Sequence, residues 1–130
     1  MEDADFSDEF CRFLQAAVHG VDGAELLLLL QAEPERWWSA ADAVAALRKS
    51  VTLSEAEAAR HFASFKESGL VAAAPDGRVQ FHPADAALAA HVDKLGKTYS
   101  ERPVTLIRII YALRDTRIQS FADAFRLIRK

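Results

Sequence analysis

The chain of 130 residues has a single cysteine, Cys11, so no disulfide can form within it. So few thiols suit a reducing compartment. A long hydrophobic run is also missing. Leu26 to Leu30 is five leucines, against the roughly 20 apolar residues needed to span a bilayer. The opening MEDADFSDEF is acidic where a signal peptide would carry basic residues. The expectation is a cytoplasmic protein that does not engage membranes. Nor is there a Gly-rich phosphate loop, a nucleophile elbow or a histidine pair at metal-ligand spacing. His19, His61, His82 and His91 stand far apart. Paired carboxylates occur only where helix caps explain them. No catalytic residue, metal or cofactor is therefore expected, and the chain does not read as an enzyme. Cys11, between Phe10 and Phe13, reads as a small core hydrophobe rather than a redox sensor.

What the chain does have is helical periodicity. At 51% hydrophobic and 27% charged it has the composition of a folded domain. Phe10, Phe13, Leu14, Ala17 and Val18 follow helical spacing from Ser7, and Gly20 can stop that helix. Asp22 with Glu25 has the form of a capping box, opening a second helix that Pro34 closes. That helix is apolar nearly all round and belongs in the middle of the core. Trp37 and Trp38 follow, either as a cover for the domain edge or as a base-stacking platform; the latter would want cations between the rings, and only Arg36 is near. Ser39 caps a third helix in which Ala43, Val44 and Leu47 face inward.

The densest signal is Ser54 to Phe81. Ser54 and Glu57 form a capping box. Ala58, Phe62 and Phe65 make an apolar face, with Arg60, Ser64 and Glu67 opposite. Gly69 stands where a helix C-cap needs a left-handed residue. Leu70 to Ala74 and Arg78 to Phe81 read as two strands around the turn Pro75-Asp76-Gly77. Beyond Pro83 a helix runs from about Ala84 to Ser100, with Leu88, His91 or Val92, Leu95 and Tyr99 in a stripe. The segment VTLIRIIYAL after Pro103 is β-branched enough for a strand; Leu, Arg and Ala favour a helix. Ile118, Phe121, Phe125 and Ile128 form a last stripe. The predicted class is mainly α: residues 1–21 an N-terminal helix, 22–83 a helix-turn-helix with a two-stranded wing, 84–130 a C-terminal helical extension.

Charge is uneven. Residues 1–92 hold 7 Lys and Arg against 15 Asp and Glu, a net −8; residues 93–130 hold 9 against 4, a net +5. The cations that a nucleic-acid-binding surface would need thus lie in the tail rather than around the Ser54 helix.

Trp37 to Phe81, and HFASFKESGLV above all, resembles the bacterial winged helix-turn-helix superfamily in the neighbourhood of the MarR and ArsR types. The tail from Ser100 is similar to the ends of small bacterial winged-helix proteins. The resemblance implies a homodimeric, DNA-binding transcriptional regulator whose second helix enters the major groove. Carried over, it puts Ser54, Glu57, Arg60, His61 and Ser64 toward base edges, and Lys49, Ser50 and Arg78 near phosphates. An Arg60 pair to guanine would be worth roughly 1–3 kcal/mol of discrimination. The dimer or partner interface would fall on Leu88, Val92, Leu95, Tyr99, Ile107, Ile110, Phe121 and Phe125. The alternative is an adaptor that binds another protein through its wing face or basic C-terminal helix.

Overall fold

The computed structural model describes residues 7–114. They fold into six helices and three short strands. Helix α1 (Asp8–Ala17) is capped by Ser7, whose hydroxyl accepts from the Phe10 amide, and Asp8 and Glu9 sit at the positive end of its dipole. Helix α2 (Val21–Ala32) leaves it at 97°. Strand β1 (Trp37–Trp38) leads to α3 (Ala40–Leu47), capped by Ser39 as expected. Helix α4 (Glu55–Glu67) follows, then strands β2 (Val71–Ala73) and β3 (Val79–Phe81). Helices α5 (Ala86–Glu101) and α6 (Pro103–Arg114) complete the described chain. The segment after Pro103 is thus a helix, and its proline occupies the first turn, where no amide hydrogen is needed. Among the described residues no single helix is long and apolar enough to cross a membrane.

The stretch read as densest folds as its local signals direct. Ser54 Oγ accepts from the Glu57 amide at 3.1 Å, and Glu57 Oε1 accepts from the Ser54 amide at 3.0 Å. At the other end Leu70 N–H reaches Phe65 C=O at 2.9 Å and Gly69 N–H reaches Lys66 C=O at 3.1 Å. This pairing satisfies two end carbonyls and requires the left-handed φ of +78° that Gly69 supplies. The exit is therefore set by backbone geometry, and it launches β2 directly.

Three readings need correction. The sheet has three strands, in the order β1-β3-β2, all antiparallel. Trp37 and Trp38 form an edge strand, opposite Gln80 and Val79. Trp38 is 1% exposed and the Arg36 guanidinium lies 3.7 Å from its ring centroid. A ring so covered cannot stack on a base. Second, Asp22 and Glu25 do not cap α2: Gly20 is its N-cap, with no side-chain hydrogen bond. Asp22 Oδ1 accepts from the neighbouring Gly23 amide at 3.0 Å while its Oδ2 turns to His61, and Glu25 turns to the Tyr99 hydroxyl at 2.7 Å.

The third correction concerns the C-terminal extension. Val92, Leu95 and Ile110 are at most 1% exposed, because α5 and α6 pack on α1 and α2. One hydrophobic cluster runs from Phe10 through Leu27, Phe65 and Leu70 to Leu113. Those three side chains fill the protomer's own core and are not free to meet a second copy. Leu88, Tyr99 and Ile107 are half-buried. Phe121 and Phe125 lie outside the described residues. Helix α2 sits centrally, as its all-round apolarity implied, touching α3, α4, α5 and β3.

Candidate functional site

Helix α4 turns Ala58, Phe62 and Phe65 into the core. That leaves Glu55, Ala56, Ala59, Arg60, Ala63, Lys66 and Glu67 exposed. On one flank stands the hairpin β2–β3. A cleft of about 460 Å³ runs there between the start of α3, Ala59 and Lys66 of α4, and the turn at Asp76. Arg48 and Lys49 stand exposed at the end of α3, where cations suit the negative end of the dipole. Ala56, Ala59 and Ala63 keep this face shallow between the longer exposed side chains of α4.

The hairpin tip carries its own ion pair. The Arg78 amide donates to Asp76 Oδ1 at 3.1 Å, and its Nε donates to Oδ2 at 2.8 Å. These hydrogen bonds, the backbone one first, hold the Asp76 carboxyl below its ordinary value. Arg78 is thus near phosphate level in the resemblance but locally neutralised. Glu57, committed to its cap, is likewise held below its ordinary value, chiefly by the Ser54 backbone amide.

The opposite flank of α4 meets the corner between α1 and α2. A cleft of about 470 Å³ there is lined by His19, Asp22, Glu57, Arg60, His61 and Ser64. Two side chains expected at base edges turn out to belong to this inner flank. His61 is 8% exposed, and its Nε2 lies 3.1 Å from Asp22 Oδ2. A carboxylate only accepts, so Nε2 carries the hydrogen. Ser64 is half-buried, with its hydroxyl 3.4 Å from His19 Nδ1. His19 Nε2 donates to the Ala16 carbonyl at 3.1 Å, so in the neutral ring Nδ1 accepts from Ser64. Residues 60 and 61 are neighbours in sequence but a helix turns 100° between them, which is why one faces solvent and the other the core.

Of the eight residues expected to contact DNA, Lys49, Ser50, Ser54 and Arg60 are exposed, and so is Arg78 with its partner. Glu57 is half-exposed and capping, Ser64 half-buried, and His61 points inward. Lys66 was passed over although it is exposed on the hairpin side of α4; its position three and seven residues beyond Ala63 and Ala59 marks that row once the buried stripe is known. His19, Asp22 and Gly23 were also missed. Asp22 and His61 are 39 positions apart, and no periodicity links them. Among the described residues no group of three or more His, Cys, Asp or Glu is placed to hold a metal ion. No protein family, curated protein or solved structure matches this chain.

Proposed function

We propose that α3, α4 and the hairpin β2–β3 constitute a winged helix-turn-helix, and that the protein is a DNA-binding transcriptional regulator. The observation that carries this reading is the outward row of α4. Arg60 and Lys66 project on either side of the exposed Ala56, Ala59 and Ala63, with Glu55 and Glu67 also exposed and the hairpin on the Lys66 flank. A helix so stripped of bulk fits a major groove about 12 Å wide, and its two cations stand where phosphates and base edges would be. Four exposed cations against several carboxylates give weak non-specific affinity per copy, since phosphate neutralisation supplies most of it. Two copies acting together would double the contacts. With Val92, Leu95 and Ile110 internal, the described side of α6 left for pairing is the outward one bearing Val104 and Tyr111, the two exposed large hydrophobics among the described residues.

The test is fluorescence anisotropy of labelled random-sequence duplex DNA, with the mass measured by light scattering. Affinity should fall about tenfold or more between 50 and 200 mM salt. Arg60→Ala with Lys66→Ala should abolish binding. Arg78→Ala alone should weaken it less, because Asp76 already neutralises that side chain. Absence of binding even at 20 mM salt would rule the reading out.

A second reading follows from one specific observation. Glu55, Glu57 and Glu67 on α4 and the Asp76–Arg78 pair leave the face without a cationic excess. An adaptor that holds a partner protein through the cleft between α4 and the hairpin meets no such penalty. In that case Ala59→Arg, which would fill the cleft, should release the partner while leaving the fold intact.

A further inference from the structure

The sheet ends at β2. In the order β1-β3-β2 that strand has β3 as its one neighbour, and an edge strand exposes the backbone groups that point away from its neighbour. The pairing identifies these groups. Ala72 stands opposite Gln80; to either side of that pair the His82 amide donates to the Leu70 carbonyl at 2.9 Å and the Ala74 amide to the Arg78 carbonyl at 2.8 Å. In an antiparallel ladder, bonded pairs alternate with unbonded ones. Leu70, Ala72 and Ala74 therefore face β3, while Val71 and Ala73 turn their amides and carbonyls outward. Val71 is buried and Ala73 is exposed, so Ala73 offers a donor and an acceptor side by side at the open edge. Natural sheets commonly blunt such an edge with charge or proline. Here Val71 to Ala74 carries no charge, and proline comes only at Pro75.

The same residue opens on the cleft beside the hairpin. Ala73 and Val79 stand opposite each other and both line it, with Ala59, Phe62, Ala63 and Lys66 of α4 across from them. Residues directly opposite in a ladder share a face of the sheet. A residue paired with Ala73 on its open side would thus point its own side chain at the apolar wall of α4. Lys66 ends that wall and makes no ion pair among the described residues, whereas Asp76 on the other rim is taken by Arg78.

We propose that β2 accepts an extended segment of a partner protein as a fourth strand, with an apolar side chain opposite Ala73 in the cleft and a carboxylate on the same face meeting Lys66. The inference rests on the adaptor reading, which places a partner in this cleft, and specifies the partner's chemistry. The outward backbone groups select an extended chain, the alanine and phenylalanine wall selects an apolar residue, and Lys66 selects an acid. The β2 strand of a second copy would bring valine and alanines but no free carboxylate, because Asp76 is committed to Arg78.

The experiment uses the full chain and fluorescein-labelled heptapeptides Thr-X-Thr-Asp-Thr-X-Thr, in which X is Val, Ile, Leu, Phe or Met and shares one face with the Asp. Anisotropy should show binding by at least one member. With that peptide at about ten times its Kd, the Ala73 amide should exchange about tenfold more slowly, while the Ala72 amide, already paired with β3, should not change. Ala73→Pro removes the outward donor at a position where an edge strand tolerates proline. It should weaken binding about tenfold, and Ala73→Ser should not. If Ala73→Pro fails to fold, peptides N-methylated at one amide at a time test the same pairing from the partner side, and one such methyl should abolish binding. Lys66→Glu should weaken binding, and Lys in place of the peptide Asp should restore it. Failure of every peptide to bind would overturn the proposal, and so would a mass doubling abolished by Ala73→Pro, which would give the edge to a second copy. Binding that is lost on Ala59→Arg but leaves the Ala73 amide unprotected would overturn strand pairing alone and leave the adaptor reading standing.

Discussion

At the residue scale the determining feature is competition for polar side chains. Ser54 and Glu57 are used locally, and the cap they form should be worth about 1 kcal/mol, so Ser54→Ala should lower the urea midpoint by that equivalent. Because the Glu57 carboxyl is held below its ordinary value, its share of this stability is present above the ordinary carboxylate range and fades as the pH falls through the lowered one. Asp22 and Glu25 look like the same motif in sequence and are used at long range instead. Gly23→Ala separates two effects of opposite sign. Helix propensity favours alanine by about 1 kcal/mol, but the new methyl would sit 3.0 Å from a buried imidazole. Overpacking of this kind costs typically 1–3 kcal/mol, so net destabilisation is expected in chemical denaturation. Cys11 is 1% exposed, and burial first, with Asp8 adding to it, pushes its thiol up to about 11. Alkylation at neutral pH should follow global unfolding rather than the native state.

At the element scale, α5 and α6 are inner helices of the fold. Ile110→Ala should destabilise the protein by about 2–5 kcal/mol, as for any buried aliphatic truncation. If Ile110 instead lay at a dimer interface, the same change would lower the mass seen by light scattering while leaving monomer stability unchanged. The Tyr99 hydroxyl joins α5 to α2 through Glu25 and is pushed up to about 12, by desolvation first and then by that carboxylate. A raised value means this contribution is intact below the ordinary value of 10 and is lost as the pH rises toward 12. Tyr99→Phe should remove that alkaline loss and cost about 1 kcal/mol at neutral pH. The β1 strand shows how an element can be only two residues long and still matter. Trp38 packs under Arg36, and Gln80 Nε2 donates to the Glu35 carbonyl at 2.8 Å, closing the sheet edge next to the hairpin.

At the scale of the whole molecule, the helix pair, hairpin and C-terminal helices share one hydrophobic cluster rather than three. Tryptophan fluorescence, which reports β1, and far-ultraviolet circular dichroism, which reports the helices, should therefore give coincident unfolding curves. Separate midpoints would show that 22–83 and 84–114 are energetically independent. The same shared core packs α4 against the α1–α2 corner, and His61–Asp22 and Ser64–His19 join the two.

The sequence by itself determined the local features of this protein. The Ser39 and Ser54 caps, the Gly69 exit, the Pro75–Gly77 turn and the helix periods are each decided by interactions within about five residues, and such signals survive in any tertiary setting. Arg60 on the outward face of α4 was legible for the same reason, because the Ala58, Phe62 and Phe65 stripe states which side is inside. Only the tertiary structure decided where the ambiguous side chains went. Asp22 could cap a helix or accept from a buried histidine, and Val92, Leu95 and Ile110 could face a partner or their own core. The outcome was set by which element lies opposite, and that depends on how the whole chain buries its apolar surface.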